Sequence, residues 1–336
     1  MRRRLMATRK EVAEKAGVSE AVVSYIINNS NYVNAKTRER VQKVIDELGY
    51  RPNLVARSLK IDRTHHLAFI CNDFSNLFFS QIASEVTKIA FNNGYLLSIT
   101  DVGYDDARID LLLQYRVDGM FICSDLFLSG QINKFVDQGT AVVLFGNREY
   151  PNLDPRVAQV LVDIKGGMDR LMEYLIAKGH SNFAFVSSAL FGDHRIHKEA
   201  PDNYRHIAFR EAIMRHGLQG KSYRIASVFD ATLLEQHLNS IVKDQKASVI
   251  VCGNDTIATQ VISQLNTMGI NVPQDIAVTG FDGLWLSSVF SPSLTTVDLG
   301  IEKIGPTAIN QLLHIIRKQP VEQTGWQARL RIGGSA

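Results

Sequence analysis

From Val12 to Asn28 the apolar positions recur every three or four residues in two short runs separated by Gly17. Val12, Ala13 and Ala16 make one stripe, and Val22, Val23, Ile26 and Ile27 make the other. That spacing predicts two amphipathic helices, each with a single face to bury. Thr8 followed three residues later by Glu11 forms a capping box that starts the first helix at about Arg9, and Ser19 caps the second. A third helix is capped by Asn34, striped by Val41, Val44, Ile45 and Leu48, and stopped at Gly49, where a left-handed residue is needed. Three short helices make one small core of helix-turn-helix type. Its second helix leaves Glu20, Ala21, Ser24, Tyr25 and Asn28 on the exposed side as candidate base and phosphate readers.

Pro52 to Lys60 is polar and opens on proline, too short to hold a helix by itself in water, so it reads as a linker with helical potential. From His66 onward the pattern changes. Short apolar strands are predicted at 66–71, 95–100, 118–122, 141–145, 159–163, 183–187, 224–228, 247–251 and 276–280. Helices are predicted near 77–92, 105–115, 130–138, 165–178, 203–216, 231–243, 255–268 and 301–317. Repeated strand-helix units imply parallel sheets covered by helices on both faces, and so many units are accommodated more economically in two lobes than in one sheet. The expected fold is an all-α helix-turn-helix headpiece over residues 1–51, a hinge and linker over 52–65, and an α/β domain of two doubly wound parallel-sheet lobes over 66–336. Pro306, inside the helix at 301–317, removes a backbone donor and is expected to kink it.

Charge sharpens this division. Residues 1–60 carry 13 Lys or Arg against 6 Asp or Glu, a net of +7, whereas the remaining residues carry 24 against 28, a net of −4. A compact basic domain on a mildly acidic one is the electrostatic footprint of a phosphate-binding module. No apolar run reaches membrane-spanning length, and Arg2-Arg3-Arg4 is not followed by the apolar stretch of an export signal, so no membrane partner and a cytoplasmic location are expected. Cys71, Cys123 and Cys252 are far apart and embedded in apolar runs, which points to buried free thiols.

In doubly wound lobes ligands bind where loops leave the carboxyl ends of the strands. Those loops carry Asn72-Asp73-Phe74-Ser75-Asn76 with Phe78-Phe79, then Asn147-Arg148, Phe229-Asp230, Asn254-Asp255 and Phe281-Asp282, and Arg205 opens the helix at 203–216. Aromatic faces, amides, carboxylates and one guanidinium suit a polyol, because rings pack on C–H faces while Asp, Asn and Arg take paired hydroxyls. An Asp or Asn after a strand also commonly caps the next helix, and Phe78, Phe79 and Phe229 also fit a core. His194 and His197 lack a third neighbouring ligand, so no metal site is read there.

The run from Glu11 through Ala13 to Gly17-Val18-Ser19, then Val23-Ser24, Ile27-Asn28, Val33, Lys36-Thr37-Arg38 and Gly49-Tyr50-Arg51-Pro52-Asn53 with Ala56 and Leu59, resembles the headpiece of the lactose-repressor (LacI/GalR) family. Asn203-Tyr204-Arg205 with Ala208-Phe209, Gly253-Asn254-Asp255, Gly280-Phe281-Asp282, and Pro292 with Leu294-Thr295-Thr296-Val297 are similar to motifs of that family's effector domain. The resemblance implies a sequence-specific transcriptional regulator, a repressor, that holds a palindromic operator as a homodimer and answers to a small sugar-like effector between the lobes. It implies DNA contacts from Thr8, Ser19, Glu20, Ala21, Ser24, Tyr25, Asn28 and Tyr32. It also implies a hinge helix whose Asn53, Ala56 and Leu59 enter the minor groove. Arg205, Asn254 and Asp282 match effector contacts; Phe79, Asn147 and Phe229 match more loosely, beside Asp73 and Phe78 from the same strand-end loops.

Two positions depart from the family pattern. Tyr25 stands where many members carry Arg, which reads guanine through two hydrogen bonds, so the half-site is expected to differ. Asn147 stands where Asp is frequent. An enzyme is the main rival reading, but the sequence has no Gly-x-Gly-x-x-Gly after a strand, no phosphate-cradling Gly-Lys-Ser/Thr loop and no Gly-x-Ser-x-Gly elbow. A transport-type sugar-binding protein is disfavoured by the basic headpiece. No cofactor is expected, and with no leucine heptads beyond Arg331 the expected assembly is a dimer.

Overall fold

The computed structural model describes all residues except 1–6, 28–31, 52–62, 103–105, 125, 147–148, 189–203, 226–229 and 321–322. The chain divides into two compact units, Met1–Thr64 and His65–Ala336.

The first unit is built on α1 (Arg9–Ala16), α2 (Glu20–Ile27) and α3 (Ala35–Leu48). Thr8 and Glu11 close the capping box, Thr8 N–H donating to Glu11 Oε2 at 2.6 Å and Glu11 N–H to Thr8 Oγ1 at 3.2 Å. Gly17 at φ 63° lets the chain leave α1 in a left-handed turn, with Val18 N–H returning to Ala13 O at 3.0 Å. The core is Val12, Val23 and Val41 with Ala13, Ala16, Ile26, Val44 and Tyr50. Ile45 and Leu48, expected inside, only pack against it.

The second unit begins with β1 (His66–Cys71), α4 (Leu77–Asn92), β2 (Leu96–Asp101), α5 (Asp106–Leu112), β3 (Gly119–Cys123), α6 (Ser129–Asp137), β4 (Ala141–Phe145) and β5 (Ala158–Asp163). It continues through α7 (Ile164–Ala177), β6 (Asn182–Ser188), α8 (Tyr204–Arg215), β7 (Gln219–Ile225), α9 (Ala231–Asn239), β8 (Val249–Cys252), α10 (Asp255–Thr267), β9 (Ala277–Asp282) and β10 (Thr295–Asp298). It ends with α11 (Ile301–Ile316), β11 (Thr324–Gln327) and β12 (Arg329–Arg331). Among the described residues the strands form two sheets, in the orders β11-β5-β4-β3-β1-β2 and β12-β10-β9-β8-β6-β7. The pairings are parallel except that of β12 with β10. Two doubly wound lobes follow, as the strand-helix alternation required.

The chain passes between the lobes after β5, after β10 and again between β11 and β12. Trp326 Nε1 donates to Leu299 O at 2.9 Å, and Arg170 donates to Ala328 O at 2.7 Å, so the crossovers are tied to one another. One apolar cluster runs through both lobes, from Leu67 and Phe121 to Phe183 and Phe281. On α11, Gly305 permits close packing on α4, because a Cβ there would lie 3.0 Å from Val86 and 3.3 Å from Ile82 O. The helix continues through Pro306 to Ile316.

Three corrections to the sequence reading arise here. The strand expected at 224–228 lies at Gln219–Ile225, because Gly217 at φ 60° ends the preceding helix early and starts the strand on polar residues. The helix expected to reach residue 243 ends at Asn239 and passes into a π-turn, Ser240–Asp244. β10, β11 and β12 were not expected, since runs of three or four residues carry too few alternations to show a period.

Ser335 is fully buried beside β9 and β10. Its hydroxyl donates to Val278 O at 2.6 Å and accepts from Thr295 N–H at 2.9 Å, and its carbonyl accepts from Val278 N–H. Ser335→Ala leaves a buried donor and acceptor without partners, so a loss of about 1–3 kcal/mol is expected in urea denaturation. An unchanged midpoint would show that these strands do not depend on the plug.

Candidate functional site

In the headpiece, burial of Val23 and Ile26 turns the opposite side of α2 outward. Glu20, Ala21 and Tyr25 are exposed there, and Ser24 is half-buried. Ser19 Oγ accepts Val22 N–H at 3.4 Å, the capping contact expected of it. Tyr32 is 90% exposed and its ring lies 6.1 Å from that of Tyr25, so two aromatic side chains stand together at the end of the reading helix. The hydroxyl of Thr8 is engaged by Glu11, which makes Thr8 first of all a helix cap. Asn28, Asn53, Ala56, Leu59, Asn147 and Phe229, like His194, His197 and the hinge, lie outside the described residues.

The second constellation forms at the carboxyl ends of β8 and β9. Parallel pairing of β8 with β9 brings Gly253-Asn254-Asp255 next to Gly280-Phe281-Asp282, and α8 begins over both with Arg205. Arg205 donates through Nη1 to Gly253 O at 2.6 Å and through Nη2 to Asp282 Oδ1 at 2.7 Å, with its guanidinium 4.9 Å from the centre of the Phe281 ring. Asp282 itself holds φ at 139°, a strained value for a residue with a side chain. The carboxylate of Asp255 accepts Leu284 N–H at 2.7 Å and the Thr296 hydroxyl, and that hydroxyl in turn accepts Gly283 N–H at 3.3 Å. The backbone of Asp282 is thereby fixed from the next residue on. Gly280 must lack a side chain here, since a Cβ would fall 2.2 Å from Asp255 Oδ1.

Burial dominates the electrostatics. It pushes the Asp255 carboxyl up to about 6 and the Asp282 carboxyl up to about 7, against the opposing pull of Arg205. One guanidinium therefore serves two buried carboxyls. The arrangement offers a donor and acceptor pair in fixed geometry, suited to adjacent hydroxyls or to an amide edge.

The other expected residues are placed differently. Asn254 caps α10, its Oδ1 accepting Ile257 N–H at 2.8 Å, so local capping accounts for that oxygen. Asp73 Oδ1 accepts from the amide and hydroxyl of Ser75, which fixes the loop after β1. Phe78 and Phe79, expected as ring contacts, are 4% and 8% exposed and belong to the core cluster, their ring centres 5.3 Å apart. The sequence reading named Asn72 and Asp255 only within the strand-end loops and not among the effector contacts, and did not name Ser124; Asn72 and Ser124 are buried polar residues at the ends of β1 and β3. Polar residues ending apolar strands were the available signal. Cys71, Cys123 and Cys252 are buried free thiols as expected, and burial pushes the first up to about 12. Among the described residues no group of His, Cys, Asp and Glu could hold a metal, and no helix is long and apolar enough to cross a membrane.

Two family models match parts of the chain. The family described as bacterial regulatory proteins, lacI family, matches residues 8–53, and the periplasmic binding protein-like domain matches residues 172–336. The chain is 32% identical over 326 residues to the HTH-type transcriptional repressor PurR of Vibrio atlanticus, covering 95% of this chain and 94% of that one. It is 30% identical over 328 residues to the ribose operon repressor of Escherichia coli, covering 95% and 96%. In fold it is similar to the lac repressor dimer bound to operator and the anti-inducer ONPF, with a TM-score of 0.78 and 22% identity over 98% of each chain.

Proposed function

The chain belongs to the lacI family of bacterial regulatory proteins and is a DNA-binding transcriptional repressor; on that premise we propose that it binds a palindromic operator as a homodimer, in the cytoplasm, under control of a small sugar or sugar derivative. The observation that carries this reading is the face of α2, where Glu20, Ala21 and Tyr25 stand exposed in an N-terminal region whose first 60 residues carry a net charge of +7. Lys and Arg supply phosphate affinity, whereas the exposed side chains of α2 supply sequence preference. Glu20 accepts from cytosine N4, and Ala21 contacts a thymine methyl. A ribose operon repressor among the relatives favours a sugar, and Arg205 with Asp282 supplies the paired donor and acceptor such a ligand needs. Effector and operator are then coupled through Pro52–Lys60, and each changes the other's affinity by one and the same factor.

Selection of full-length protein against a random duplex library is expected to return two half-sites about one helical turn apart. The affinity should fall about 10³–10⁵-fold between 50 and 200 mM salt. Tyr25→Arg should shift preference at one base step toward guanine. If low salt enriches no sequence at all, the operator reading fails.

A further inference from the structure

Arg205 and Asp282 lie in the lobe of β6 to β10, whereas in the other lobe Phe78 and Phe79 are core residues and Asp73 fixes its own loop. At the carboxyl end of β1, Asn72 is 3% exposed, and its Oδ1 has no hydrogen-bond partner. The neighbouring strand β3 is followed by Ser124, one residue beyond the Cys71–Cys123 pair. Ser124 Oγ accepts Leu126 N–H at 3.3 Å and so serves its own loop. Buried amide oxygens are nearly always paired, and one left without a partner at the carboxyl edge of a doubly wound sheet lies where such sheets take their ligands.

We infer that Asn72 is an effector contact of the first lobe, its amide oxygen accepting a hydroxyl or N–H proton of the ligand. This rests on the sugar-binding reading above and narrows it. The ligand must carry a donor at the end facing β1, besides the donor and acceptor pair that meets Arg205 and Asp282.

An unpaired buried acceptor also has a consequence in the free protein. Replacing it by an apolar group of similar shape removes a desolvation cost without removing any protein hydrogen bond. Effector affinity and free-state stability should therefore move in opposite directions, which a merely structural asparagine would not produce.

The test is thermal melting and calorimetry of the parent, Asn72→Leu and Asn72→Ala in full-length protein, with D-ribose, D-xylose, D-galactose, D-glucose, adenosine and guanosine as probes. The expected result is that at least one probe stabilises the parent, that Asn72→Leu raises the free-state Tm by about 2–4 °C, and that both variants bind that probe at least about 10-fold more weakly. Asn72→Ala guards against a leucine that does not fit. If a probe binds the parent and both variants equally well, this inference is overturned while the sugar reading stands. If no probe binds the parent, the sugar reading falls and the inference with it.

Discussion

Arg205→Met is expected to destabilise the protein by roughly 3–5 kcal/mol at pH 8 and by much less at pH 5. Arg205 is tied to Asp282 at 2.7 Å and is the cation acting on both buried carboxyls, Asp255 and Asp282. Burial raises both carboxyls above the unfolded value, to about 6 and about 7, so between pH 4 and 7 the folded protein holds protons that the unfolded chain has released. Their contribution to stability is therefore greatest below the unfolded value and declines as pH rises through the folded ones. In the parent this decline is opposed by Arg205. Without the guanidinium, ionising either carboxyl above pH 6 places an uncompensated charge in the core of the lobe, so the decline steepens. Denaturation of parent and variant at pH 5, 6, 7 and 8 measures it. An equal loss at all four values would mean that Arg205 acts by packing on Phe281 and not by charge. The same pair holds the donor and acceptor geometry of the proposed site, so the variant should also lose its response to effector.

Replacing Trp285 and Phe290 together by glutamate should yield monomers and lower operator affinity by about 10²–10⁴-fold. Trp285 and Val289 are 60% and 65% exposed, Phe290 is also exposed, and Ile332 is exposed nearby in chain connectivity through Arg331, which donates to Leu284 O and the Ser287 hydroxyl. Exposed apolar side chains close in sequence, as at Trp285, Val289 and Phe290, mark an interface, and a second copy of the chain is the occupant that the proposed palindromic operator requires. One headpiece reads one half-site; a second, tethered one binds at the effective concentration set by the dimer. Light scattering and gel shift check the two halves of the expectation. A variant that stays dimeric places the interface elsewhere, and a monomer that binds operator as tightly as the parent removes the need for a dimer.

The headpiece was legible in the sequence because its determinants are local. Thr8 and Glu11 lie three residues apart, Gly17 and Gly49 each take a left-handed conformation that ends a helix, and the stripe through Val12, Val23 and Val41 needs only helical periodicity to close a core. The two-lobed plan was legible for a related reason, since strand-helix alternation leaves few arrangements. Short strands such as β10 and β12 were not, because their membership depends on partners far along the chain: Asp298 pairs with Asp282, and Thr296 with Arg331. The site divides in the same way. Sequence placed Arg205, Asp282 and Asn254 at strand and helix ends, but only the tertiary structure decided that Arg205 reaches Gly253 O and Asp282, that Asn254 spends its oxygen on a helix cap, and that Phe78 and Phe79 face the core. It also decided that the amide oxygen of Asn72 is buried without a partner. A residue's type and local spacing fix which hydrogen bonds it can make; which of them it makes depends on burial and on neighbours that parallel pairing brings from tens of residues away.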